Sequence, residues 1–135
     1  MVKMTGVYTT EKRCTATHEP SNSTLETDAP RDNHGRGQKF SPTDLLGVSL
    51  GTCILTTLAI LHEGDGIDFK NSTFSVTKEM ISNPRRVASL NITLELPRAV
   101  PNNLRSKLET TANNCPVKKS LHPDISANIT IHYSI

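Results

Sequence analysis

Three cysteines are the residues of this chain best suited to chemistry, and two of them lie in segments that would change a thiol's behaviour. Cys115 directly precedes Pro116, and Val117, Lys118 and Lys119 can continue from it as a helix. Its sulfur would then sit at a helix N-terminus, where unpaired N–H groups and the helix dipole stabilise a thiolate, with two lysines adding positive charge. A cysteine that merely caps a turn fits the same segment, and the residues alone leave both readings open. Cys53 stands in the apolar run from Leu45 to Leu61, where a cysteine ordinarily acts as a small buried hydrophobe with a raised pKa. On the residues alone Cys115 is therefore the better nucleophile. Cys14 falls on an expected strand, matches no motif and reads as structural.

Other chemistries find less support. The five histidines, His18, His34, His62, His122 and His132, have no ligand spacing, so no metal is expected. Gly35-Arg36-Gly37 lacks the third glycine and the strand-to-helix setting of a phosphate cradle, so no cofactor is expected. The balance of 15 Lys+Arg against 13 Asp+Glu, net +2, comes from interspersed signs, which gives no footprint for nucleic acid. An odd cysteine number without regular spacing is not a secreted disulfide framework or a CxxC zinc site, and a reducing cytosol fits best. The N-terminus has no apolar leader pattern, and no apolar run is read as reaching the ~18 residues of a bilayer span, so no membrane is expected. The sequons at Asn22, Asn71, Asn91 and Asn128 are chance in an Asn/Ser/Thr-rich chain.

The elements that must position these residues follow from pattern. A length of 135 residues suits one domain, 1–135, with one core. Aromatics are only 4%, with no Trp, so that core must be built from Leu, Ile, Val and Ala, and burial against a second copy is plausible. Residues 4–18 and 23–29 read as a hairpin turned at Glu19–Asn22, and 29–39 as an exposed loop. The helix Pro42–His62 is the clearest element. Ser41 caps it, Pro42 occupies its first position, Asp44 completes a Ser-x-x-Asp box, and Gly64 and Gly66 stop it. With almost no polar face it should be buried nearly all round, and Gly47, Ser49, Gly51 and Thr52 should mark close approach by a partner backbone. Residues 67–79 and 86–96 form a second hairpin turned at Ser82-Asn83-Pro84. A polar helix over 103–113, a helical turn from Pro116 and an alternating strand over 125–133 complete the order ββ-α-ββ-α-β. That order predicts an α+β fold of antiparallel sheets packed on a buried central helix.

Four segments carry a resemblance: Thr27-Asp28-Ala29-Pro30, Phe40 to Leu46, Leu50 to Cys53 and Cys115 to Ile125. They resemble the OsmC/Ohr family, and within it the subgroup with Asp-Ala-Pro and Ser-Pro-Thr-Asp-Leu-Leu segments rather than the well-characterised peroxidases. The resemblance implies an intertwined homodimer and a thiol-dependent peroxidase that reduces organic hydroperoxides in oxidative-stress defence, with a cellular dithiol as reductant. It makes Cys53 the peroxidatic and Cys115 the resolving cysteine, against the reading from residues, and a disulfide between them the product of turnover. It also implies an arginine from the first hairpin that lowers the Cys53 pKa. Arg13 is the best match, with Arg31 and Arg36 as alternatives. One departure stands out. Peroxidase members carry a Glu directly after the helix-start proline, where this chain has Thr43, and the neighbouring Asp44 is turned by about 100° around the helix. A binding protein for an apolar small molecule, with little turnover, is the rival reading.

Overall fold

Alternation is cleanest in the strand β5, Arg86–Leu96, where Leu90, Ile92, Leu94 and Leu96 point to one side and are 0–1% exposed. A strand with one buried face needs a cover, and the long helix α1, Pro42–His62, supplies it. Leu50, Ile54 and Leu58 recur at helical spacing and are fully buried, with His62 one step further on the same stripe.

The computed structural model describes residues 1–135, which form an α+β fold with two three-stranded sheets. By compactness the chain divides into residues 1–46 and 47–135, with the boundary inside α1. In the first part β1 (Met4–Thr10), β2 (Arg13–His18) and β3 (Ser23–Asp28) make an antiparallel meander. One strand over 4–18 was expected, and two are found. The chain reverses at Glu11 and Lys12, both at positive φ (51° and 62°). Such a turn normally carries Asn and Gly, so Glu-Lys gave no signal of it. The loop after β3 closes on itself: the Gly35 and Gly37 N–H groups bond the Pro30 and Ala29 carbonyls at 3.0 and 3.2 Å. A Cβ on Gly35 would lie 1.7 Å from the Ala29 oxygen, so only glycine fits there.

In the second part β4 (Thr73–Ile81) pairs antiparallel with β5. The expected strand over 67–79 thus starts later, with Ile67 and Phe69 buried in the connection that precedes it. Helices α2 (Asn102–Asn113) and α3 (Pro116–Ser120) then lead to β6, Ser126–Tyr133. The all-antiparallel expectation needs one correction, because β6 pairs parallel with β5 from Ser89↔Ser126 to Leu96↔Tyr133. The two intervening helices make a crossover long enough to return the chain for parallel pairing, which a tight turn cannot do.

The close approach expected on α1 has a different source. Gly47 and Gly51 do mark close approach, but by side chains of this chain's own sheet. A Cβ on Gly51 would lie 2.3 Å from the Phe74 ring, and one on Gly47 3.4 Å from Val76. Within the single chain burial is one-sided, with Ile60 and Leu61 79% and 59% exposed, and these are the positions that burial by a second copy would have to cover. Moreover Pro42–Asp65 is long and apolar enough to cross a membrane by length and composition, contrary to the reading of the sequence. A core helix of a soluble fold passes the same test.

Candidate functional site

Helix α1 carries Cys53 on its half-buried flank, with the sulfur 3.9 Å from the Thr57 hydroxyl one turn on. Cys115 is fully buried. It caps α3 as the sequence suggested: its backbone is extended, Pro116 follows, and its sulfur accepts the Lys118 N–H at 3.4 Å. The tertiary structure brings the two thiols together. Cys53 is both a hydrogen-bond and a charge neighbour of Cys115, and both sulfurs are free.

Electrostatics at Cys115 run opposite to the helix-end argument. Burial pushes the thiol up, the Lys118 N–H pulls it down by less, and the Cys53 neighbour pushes it up again. The dipole and N–H contribution read from the sequence exists, yet desolvation of a fully enclosed sulfur outweighs it. Cys14 is exposed on β2 and takes no part in the pair.

Arg13 is fixed by polar partners on its own sheet and the loop that follows it. Its Nε and Nη2 donate to the two Asp28 carboxylate oxygens at 2.6 and 2.9 Å, and Nη2 also donates to Gln38 Oε1 at 3.1 Å. Glu26 is a further neighbour at 4.0 Å. Arg13 and Asp28 face each other across the β2–β3 ladder, so strand register sets the pair. Asp28 has no exposed surface, and its Oδ2 takes a third bond from the Gln38 N–H at 3.0 Å. The Arg13 hydrogen bond holds the Asp28 carboxyl below its usual range, and the same bond raises Arg13. Asp28 is the residue that sequence reasoning missed. It lay in the Asp-Ala-Pro segment, but nothing in the linear chain said which cation it would meet.

The remaining candidates have other partners. Arg36 pairs with Glu11, and Arg31 donates from Nε to the Arg36 carbonyl at 3.3 Å. Asp44 and Ser41 form a reciprocal capping box, with Ser41 N–H to Asp44 Oδ2 at 2.8 Å and Asp44 N–H to Ser41 Oγ at 3.0 Å. The Thr43 hydroxyl lies 3.2 Å from that of Ser41. No group of three or more His, Cys, Asp or Glu side chains is arranged to hold a metal.

The family model for OsmC-like proteins matches residues 35–130, the span holding the capping box and both thiols. The chain belongs to the OsmC-like family. Among solved structures, this OsmC-like chain is similar to one from Psychrobacter arcticus 273-4, named provisionally as an osmotic stress induced and detoxification response protein. The two share 40% identity over 98% of this chain and 96% of that one, at a TM-score of 0.93. An OsmC-like protein of Mycoplasma pneumoniae shares the fold at 17% identity and TM-score 0.81, covering 98% and 96% of the two chains. The organic hydroperoxide resistance protein of Bacillus subtilis shares it at 12% identity and TM-score 0.72, covering 98% of each. Among curated proteins, none matches the chain.

Proposed function

We infer that this OsmC-like protein reduces organic hydroperoxides through Cys53 and Cys115. The observation that carries this reading is the pairing of a part-exposed thiol with a fully buried one. A peroxide can reach Cys53, whereas Cys115 is enclosed and favours its protonated form, which suits a thiol that reacts second. The Cys53 thiolate attacks the peroxide O–O bond, becoming a sulfenic acid as the alkoxide leaves and is protonated to the alcohol. The Cys115 sulfur then displaces water to form the disulfide, and a cellular dithiol returns both cysteines to thiols while it is itself oxidised.

Arg13 is the cation assigned to the thiolate and the peroxide oxygens. With Thr43 in place of the family's Glu, Asp28 is the carboxylate that fixes this arginine's orientation. A carboxylate already bonded to Arg13 supports this reading over the rival, a binding protein that lost turnover together with the Glu. A homodimer fits the same proposal, since Ile60 and Leu61 of α1 and Met4, Val7 and Tyr8 of β1 leave apolar surface uncovered. Two redox-active thiols also suit a reducing cytosol.

Purified protein should consume tert-butyl or cumene hydroperoxide with a dithiol, and Cys53→Ser should abolish turnover. Cys115→Ser should stop at one equivalent of peroxide and leave a sulfenic acid that dimedone traps. Wild-type protein that consumes no hydroperoxide, or Cys53→Ser protein that turns over at the wild-type rate, would sink the proposal.

A further inference from the structure

His62 is 2% exposed, and both its ring nitrogens are engaged: Nδ1 lies 2.9 Å from Asp65 Oδ2 and Nε2 lies 2.7 Å from Thr111 Oγ1. The roles in this chain of three can be assigned. The His62 hydrogen bond holds the Asp65 carboxyl below its usual range, and Lys107 stands 3.6 Å away as a second cation. An ionised carboxylate only accepts, so Nδ1 carries the proton; in a neutral imidazole Nε2 then accepts the Thr111 O–H. Thr111 differs in this from its neighbour. Thr110 returns its hydroxyl to the Ser106 carbonyl at 3.1 Å, as Thr52 and Thr56 do on α1 to the carbonyls one turn back. The Thr111 hydroxyl instead leaves its own helix to reach α1.

The position of this contact gives it a use. Helix α1 carries both Cys53 and His62, at points ~13 Å apart along its axis. Helix α2 ends just past Thr111, whose carbonyl accepts the Asn114 N–H at 3.0 Å, and the next residue is Cys115 at the cap of α3. The backbone path from the cross-link to the second thiol is therefore four residues, held by hydrogen bonds at each end.

The geometry points to the His62–Thr111 hydrogen bond as a positioning brace that holds the Cys115 turn beside Cys53 and so sets how readily the two thiols join. This deepens the redox reading of the pair and rests on it. Neither His62 nor Thr111 touches the peroxide; they act through the placement of Cys115.

The test is thiol–disulfide exchange with glutathione on the full chain carrying Cys14→Ser. One glutathione disulfide is reduced to two glutathione thiols as Cys53 and Cys115 are oxidised to one disulfide, so the equilibrium ratio reports the effective concentration of one thiol at the other. Thr111→Val, which keeps the shape and removes the hydroxyl, should lower that effective concentration roughly three- to tenfold, the range expected for one buried hydrogen bond. Thr111→Ser should return it to within about twofold of the parent, and Thr110→Val should leave it unchanged. Alkylation of Cys53 by a small reagent should proceed at the parent rate in all three. The brace is overturned if Thr111→Val matches the parent, if Thr111→Ser shares the valine variant's deficit, or if Thr110→Val shows the same deficit. Should the parent form no Cys53–Cys115 disulfide at any glutathione ratio, the redox reading falls and the brace with it; a parent disulfide unmoved by Thr111→Val defeats the brace alone.

Discussion

The two sheets of this protein differ in what holds them. In the sheet β4–β5–β6 the central strand buries every second side chain from Leu90 to Leu96, and the stripe Leu50, Ile54, Leu58 of α1 covers that face. In β1–β2–β3 the first strand is exposed at every position, and the apolar side chains Met4, Val7, Tyr8 and Leu25 all lie open. The main buried anchor of that sheet is polar, the Arg13–Asp28 pair. A hydrophobic core thus supports the thiols, whereas a ladder with one buried ion pair holds Arg13. The first arrangement is costly to disturb because its packing is dense. The second turns on a few directional bonds, so a single polar substitution should alter its chemistry before its fold.

The sharpest break of the contrast is Leu94→Ala in the buried strand. Removing a fully enclosed leucine side chain should cost about 2–5 kcal/mol, visible as a lower denaturation midpoint. A loss below ~1 kcal/mol would show that the second sheet is no better packed than the first.

Asp28→Asn should leave the fold in place and slow peroxide reduction roughly ten- to a hundredfold, because Arg13 loses the partner that orients it. Asp28→Glu should recover part of that rate. The same residue predicts an acid effect. Folding holds the Asp28 pKa below its ordinary 3.8, so the stability it contributes is complete above that value and drains as pH falls from there through the depressed folded value. Between those two limits the Asp28→Asn protein should lose stability less steeply than wild type. Parallel acid titrations of the two would remove Asp28 from this role if their slopes coincide.

Asp44→Asn should act in the opposite way, costing roughly 0.5–1 kcal/mol at the helix N-terminus while the peroxide rate holds. Thiol kinetics set beside an unfolding curve separate the two aspartates, and a rate loss at unchanged stability would move Asp44 into the active site. Smallest of all, Val7→Ser on the open strand should change the stability of an isolated chain by less than ~0.5 kcal/mol. Sedimentation should show it weakening the proposed self-association, and an unaltered assembly would take β1 out of the proposed homodimer contact.

Much of this protein was legible in its sequence where the signal is local. The alternation of Leu90, Ile92, Leu94 and Leu96 fixes β5, Ser41-Pro42-x-Asp44 fixes the start of α1 to the residue, and Cys115-Pro116 fixes a thiol at a helix cap, because each depends on neighbours within one turn or one pleat. Where the determinant is long-range, or a backbone conformation that the residue types do not reveal, the linear chain was silent. The Glu11-Lys12 reversal follows from two backbone conformations that these residue types do not advertise, and the parallel return of β6 from a crossover whose direction no local pattern records. Protonation at Cys115 followed the same rule: the helix cap that lowers it lies within three residues, but the burial that raises it is built by segments distant in the chain. Asp28 could be read as an acid in a turn-forming segment, yet strand register alone decided that it faces Arg13. Local stereochemistry is written in consecutive residues; desolvation and the choice of a charge's partner depend on which distant atoms exclude water from it, and only the folded chain determines those.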